Sequence, residues 1–184
     1  MDSHQDRRAG ILAAAWGIVQ EHGIAGISFR RTAQRAGVSL GLVQHYFSSK
    51  EDLVRASAEA MIDAATLWHL SGDMSPRTAI RRVITHGIPT NDASLRGVGA
   101  WLSYVAAGVS DTEIAKVLTR AKRGQEDEAA RLITLWRPDV DATTTARQLI
   151  AVADGLALRV LVADLSTDAA YDAIDLALKK HLDY

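Results

Sequence analysis

Apolar residues recur at spacings of three and four along almost the whole chain, and no stretch alternates convincingly, so the pattern predicts an all-α protein. A first helix is expected from about Arg7 to Glu21, with Ile11, Ala14, Ala15, Ile18 and Val19 inward and His22-Gly23 as its stop. Ser28 is placed to cap a short helix that runs to Arg35 and closes at Ala36-Gly37. Ser39 can cap another, ending near Tyr46. Ser48 and Glu51 have capping-box spacing and open a long helix to about Leu70. Ser75-Pro76 starts the next helix, which ends near His86-Gly87. After a loop over Pro89 to Asp92 comes an apolar helix around Trp101, then a charged helix from Asp111 to about Trp136, where Pro138 marks the stop.

The last two elements are the most hydrophobic. Asp141 caps a helix of roughly 25 residues by this spacing. On it Leu149, Val152, Leu156 and Val160 form one stripe, and Ile150, Ala153, Ala157 and Leu161 another. A helix apolar on two sides must be covered on two sides. The final helix, Asp168 to Leu182, adds Ile174, Ala177 and Leu178. The pattern predicts a homodimer through a four-helix interface holding Leu149, Val152, Leu156, Val160, Ile174 and Leu178; burial of both stripes within one subunit is the alternative.

The chemistry concentrates in "GVSLGLVQHYFSSKEDL", residues 37–53. Two short helices joined by a tight glycine turn make a helix-turn-helix. Gly37 is needed because a residue there must leave helical geometry at low cost. If the second helix reads DNA, Gln44 can pair with adenine, and Leu40 and Leu42 can touch thymine methyls. His45, Tyr46 and the hydroxyls of Ser39 and Ser28 can reach phosphates, as can Lys50 in the first turn of the following helix. Arg30 can reach the groove edge, and Phe47 is expected in the core. Taken singly these are ordinary caps and solvated charges; their convergence on one short unit carries the reading.

Charge changes this picture little. A net charge of −1 over 184 residues at first argues against nucleic acid. Residues 1–55, however, hold seven Lys/Arg against five acids, and the remainder fourteen against seventeen. Without cysteine there is no disulfide scaffold, zinc-thiolate site or cysteine nucleophile. Gly10 to Val19 is apolar enough for a signal-peptide core, but Asp2 and Asp6 dilute its basic flank and no small-residue cleavage site follows. A soluble, cytoplasmic protein with no membrane partner is expected. The six histidines are scattered, no Glu-x-x-His or His-Glu-x-x-His occurs, and there is no Gly-rich phosphate loop or Gly-x-Ser-x-Gly elbow. No enzyme activity, metal or cofactor is therefore expected. An all-α enzyme and a protein-binding helical module without DNA binding are the competing classes.

From about Arg8 to Arg55 the chain resembles the TetR family of transcriptional regulators. The shared order is an apolar first helix ending in glycine, a Ser/Thr cap, Ala-Gly-Val-Ser, a glycine two residues on, an aromatic-Phe pair and Ser-Lys-Glu. The resemblance implies a three-helix DNA-binding domain over residues 1–55 and an effector-binding and dimerisation helical bundle over 56–184. It implies DNA contacts from Ser28, Arg30, Ser39, Leu40, Gly41, Leu42, Gln44, His45, Tyr46 and Lys50. Gln44 departs from the tyrosine common in the family, which favours direct base reading there.

The segments "RGVGAWLSYVAAGVSDTEIAKVL" and "DGLALRVLVADLS" resemble the C-terminal domains of BetI-like members. Trp68, His69, His86, Trp101, Tyr104 and Trp136 are candidates to line a small-molecule pocket, with core filling by the aromatics as the alternative. Asp154 is a candidate for a cationic effector or for a pair at the dimer edge. The whole reads as a dimeric repressor on a near-palindromic operator, released by a small-molecule effector with the long fourth helix as lever.

Overall fold

The computed structural model describes residues 4–70 and 74–183, with backbone alone for residues 67–70. Among them the chain forms α1 (His4–His22), α2 (Phe29–Ala36), α3 (Leu40–Tyr46), α4 (Lys50–Leu70), α5 (Pro76–Thr85), α6 (Asp92–Gly108), α7 (Thr112–Trp136), α8 (Ala142–Leu161) and α9 (Thr167–Leu182). A 3-10 turn, Ile24–Gly26, precedes α2. No helix among the described residues is long and apolar enough to cross a membrane.

The caps explain most boundaries. Ser28, Ser39, Ser75 and Asp141 each accept a bond from the N–H three residues on, which satisfies a donor the helix cannot. At α4 the cap lies one residue later than the spacing of Ser48 and Glu51 suggests. Ser49 Oγ accepts from Asp52 N at 3.1 Å, and the Asp52 carboxylate accepts from both Ser48 N and Ser48 Oγ. Aspartate, shorter than glutamate, closes the box on Ser48 because the extended Phe47 delivers that backbone N–H to it. The helix expected to run about 25 residues from Asp141 stops at Leu161: Ala163 turns left-handed at φ 59°, and Ser166 caps a new helix.

Packing gathers the chain into two compact units, Met1–Leu67 with Gly99–Thr119 and Trp68–Val98 with Arg120–Tyr184. A cut after Arg55 would instead fall inside α4, whose Ala56 and Ala58 are buried in the same core as Leu53 and Val54. In the first unit, Ile11, Ile18, Val43, Phe47, Leu53 and Tyr104 are among the fully buried side chains. Tyr104 ties three helices there: its hydroxyl lies 2.6 Å from Ser57 Oγ of α4, and its ring is parallel to that of Trp16 in α1 at 6.5 Å. Ser57 donates its own proton to Val54 O, which leaves Tyr104 as donor in the pair.

In the second unit Ile80, Ile84, Ile133, Leu149, Ile174 and Leu178 form the core. This corrects the expected dimer stripe. Leu149, Ile174 and Leu178 are 0 % exposed within their own unit, so no surface of theirs is left for a partner. On or just after α8 the outward apolar positions are Val152, Leu158 and Val162, and on α9 Leu176, with Leu156 and Val160 half-buried; α7 adds Leu135 and Trp136 at its end. Leu149 and Val152 are three residues apart, and on α8 that step, about 300° of turn, is enough to carry one inside and the other out.

Candidate nucleic-acid interface

The helix-turn-helix is built by its punctuation. Gly37 adopts φ 66°, ψ 30°, and its left-handed turn lets Val38 N bond Ala33 O at 3.0 Å and Gly37 N bond Gln34 O. α3 then starts from Ser39, whose Oγ accepts from Leu42 N at 3.2 Å. Val43 and Phe47 point into the core, fixing the opposite side of a seven-residue helix toward solvent. That side carries Leu40 with Gln44 and Gly41 with His45, two i,i+4 pairs of exposed residues. Leu42 is not among them: it is half-buried and packs on the core, one hundred degrees of turn away from Gly41, which corrects its expected place at a thymine methyl.

Gly41 has no explanation inside the protein. A Cβ built there meets nothing within 4 Å, although glycine in a helix costs up to about 1 kcal/mol relative to alanine. Ser28 and Ser39 use their oxygens as cap acceptors, which leaves each hydroxyl proton available to a phosphate. Lys50 is exposed at the first position of α4, beside the unsatisfied N–H groups of that turn.

The three arginines of α2 divide their roles. Arg30 is exposed on the outer side. Arg31 donates to Gly26 O at 2.9 Å, and Arg35 makes a two-pronged bond to Glu21 of α1 at 2.6 and 2.8 Å. The bond to Glu21 raises the Arg35 pKa above its ordinary value. Its guanidinium lies where a side chain on Gly17 would be, at 2.6 Å from a built Cβ, so Gly17 is the notch that admits the clamp. The sequence reading missed this clamp, although the glycine within the otherwise apolar "AAAWGIV" was its visible signal.

Tyr46, expected at a phosphate, is half-buried, and its hydroxyl donates to His4 O at 3.0 Å. Its ring meets that of His4 at 4.6 Å, while His45 stands edge-on to both.

Of the six residues expected around an effector, the four described ones, His86, Trp101, Tyr104 and Trp136, are split between the two units. Tyr104 is committed to Ser57 and Trp16 in the core of the first unit, where half-buried Trp101 also belongs. His86 and Trp136 are exposed in the second. Core filling wins for Tyr104 because its hydroxyl finds a partner without a ligand. The side chains of Trp68 and His69 lie outside the described residues. Asp154 accepts a 2.7 Å bond from Lys122 Nζ, so its charge is already answered within the second unit.

Comparison with known proteins gives the family of each part of the chain. Residues 11–57 match the family model for bacterial regulatory proteins of the tetR family, and residues 76–183 that for the C-terminal domain of BetI-type transcriptional repressors. The BetI regulator of Burkholderia cenocepacia is 27% identical over 182 residues, covering 94% of each chain. The regulator PksA of Bacillus subtilis is 27% identical over 169 residues, covering 86% of this chain and 80% of its own. Among solved structures, a Rhodococcus transcriptional regulator matches with a TM-score of 0.83 at 23% identity, over 98% of this chain and 97% of its own. A Saccharomonospora viridis regulator, solved in complex with choline, matches with a TM-score of 0.83 at 21% identity, over 97% of each chain.

Proposed function

From membership in the TetR family of transcriptional regulators, to which this chain belongs with a C-terminal domain of the BetI type, we propose how it acts: as a homodimer that represses transcription from a near-palindromic operator and is released by a small-molecule effector. The chain is a DNA-binding regulator of repressor type and not an enzyme. The observation that carries the mechanism is the solvent face of α3, where Leu40, Gly41, Gln44 and His45 stand out while Val43 and Phe47 anchor the helix. Gln44 reads a base, Leu40 touches a thymine methyl, and Gly41 permits close approach. Ser28, Ser39, Arg30 and Lys50 hold phosphates on either side.

Dimerisation follows from the apolar residues left outside. Val152, Leu158, Val162 and Leu176 are 44%, 48%, 63% and 69% exposed, and no polar group on those side chains rewards solvent exposure. Covering them against the same face of a second copy gives a two-fold pair of reading helices, which suits half-sites about 34–36 Å apart. An effector lowers operator affinity only by as much as it prefers the released arrangement. The choline bound by the Saccharomonospora protein makes quaternary ammonium compounds one class to screen.

Selection of bound DNA from a random pool tests the reading. A palindromic consensus with two half-sites is expected. Recovery of a single half-site, or of no consensus, would remove the dimeric operator complex, and an effector that left operator affinity unchanged would remove the release step.

A further inference from the structure

In the second unit, we propose a binding site for a small organic dianion, a phosphate monoester or a dicarboxylate, in the groove between α5 and α9. The site goes beyond the DNA-binding reading and stands on this unit alone. The groove has a volume of about 540 Å³ and is lined by Arg77, Thr78 and Arg81 of α5 and by Asp175, Leu176 and Lys179 of α9. That is room for a metabolite-sized molecule. The lining charges are three cations and one carboxylate, an excess of two positive charges on a chain whose net charge is −1.

The pairing inside the groove explains why the excess persists. Asp175 and Lys179 are four residues apart on α9 with the acid nearer the N-terminus, the order in which a helix favours an ion pair. Asp175 instead accepts both prongs of the Arg81 guanidinium, from Nε at 2.7 Å and Nη2 at 3.0 Å. Arg81 is equipped to win it. Its planar fork matches the two carboxylate oxygens, and the Tyr171 ring, with its centre 4.8 Å from the guanidinium carbon, supports it. Lys179 is left exposed, with no hydrogen-bond or ion-pair partner for its ammonium group among the described residues. Arg77 stands one turn before Arg81 on α5, and like charges at that spacing repel. An anion seated between the helices relieves that repulsion and gives Lys179 a partner. A monoanion answers half of the excess charge, and a dianion answers all of it. Leu176, 69% exposed, supplies an aliphatic wall for the body of the ligand. Leu176 also belongs to the face proposed for self-association, so the groove opens at the rim of that face.

Calorimetric titration of the full-length protein without DNA tests the site, so its failure is distinguishable from failure of the operator reading. Hexyl phosphate and adipate are the probes. Saturable binding of at least one of them is expected, and the tighter of the two names the head group. Lys179→Gln and Arg77→Gln should each weaken it about fivefold or more at low ionic strength, the factor that one close ion pair contributes in water. Lys179→Arg should restore it. Lys180→Gln, exposed on the same helix but not lining the groove, should match the wild type. Salt at about 1 M should remove most of the affinity, because the groove is open to solvent. Wild-type affinity in Lys179→Gln overturns the site, as does the absence of binding by either dianion at millimolar concentrations. Binding lost in Lys50→Ala but kept in Lys179→Gln would move the anion to the reading head and overturn the site as well.

Discussion

The reading helix and the helical unit that closes the chain both leave apolar side chains in solvent, but in different company. On α3, Leu40 stands beside Gly41, Gln44 and His45, so the exposed face mixes one apolar contact with hydrogen-bonding groups. On α8 and α9, Val152, Leu158 and Leu176 stand beside Gly155 and Ala173, with the exposed charges of Asp154, Asp172, Lys179 and Lys180 one turn from Leu158 and Leu176. A mixed face suits the edge of a base pair, which offers both a methyl and polar atoms. An aliphatic patch with charges at its rim suits a copy of itself, since its small residues admit close approach and its opposite charges can pair across a two-fold axis. The lesson is that exposure of a leucine says little until the groups one helical turn away are named.

The largest effects separate the cores beneath the two faces. Phe47→Ala should cost about 3–5 kcal/mol and abolish base discrimination, while Ile174→Ala should cost about 2–5 kcal/mol and preserve base preference in whatever protein remains folded. Equilibrium denaturation and competition binding check both, and equal loss of discrimination would erase the contrast.

Next comes an alkaline limb confined to the first unit. Burial, partly opposed by the Ser57 bond, pushes the Tyr104 pKa from 10.0 up to about 12. Because the folded value is the higher one, the stability Tyr104 confers is complete below pH 10.0 and is lost as pH rises through about 12. The loss is on the order of 2–3 kcal/mol. Denaturation midpoints measured across that window should fall in the wild type and flatten in Tyr104→Phe.

Within the head, Gln44→Ala should cost about 1–3 kcal/mol at one base pair. Lys50→Ala should weaken binding to all sequences alike and lower the salt slope by about one. If the two variants proved equally sequence-blind, Gln44 would not be the reader. On the other face, Leu176→Glu should weaken self-association by tenfold or more, about 1.4 kcal/mol, in sedimentation measurements. The smallest effect is also the most diagnostic. Gly41→Ala should stabilise the fold by up to about 1 kcal/mol and yet weaken operator binding. A gain in both would leave Gly41 without a role.

Much of the head was legible along the chain. Ser28, Gly37 and Ser39 stand where a helix-turn-helix needs its caps and turn, and each acts through groups no more than five residues away. The error at Ser48 was of the same local kind, one residue of register between two adjacent serines. The effector candidates were not legible, because an aromatic residue on an apolar helix reads the same whether it fills a core or lines a pocket. Tyr104 shows the difficulty: its partners, Ser57 and Trp16, are 47 and 88 positions away.

The sequence by itself determined the order of the helices, most of their caps and the family, because those depend on interactions between residues within about a turn of one another. The tertiary structure decided which apolar stripe of α8 its own unit consumes, that Leu42 turns inward, and that Tyr46 bonds His4 rather than facing outward. Each of those outcomes rests on a contact between segments far apart in the chain. Helical periodicity can say that a face is apolar, but only the packed neighbours determine what covers it.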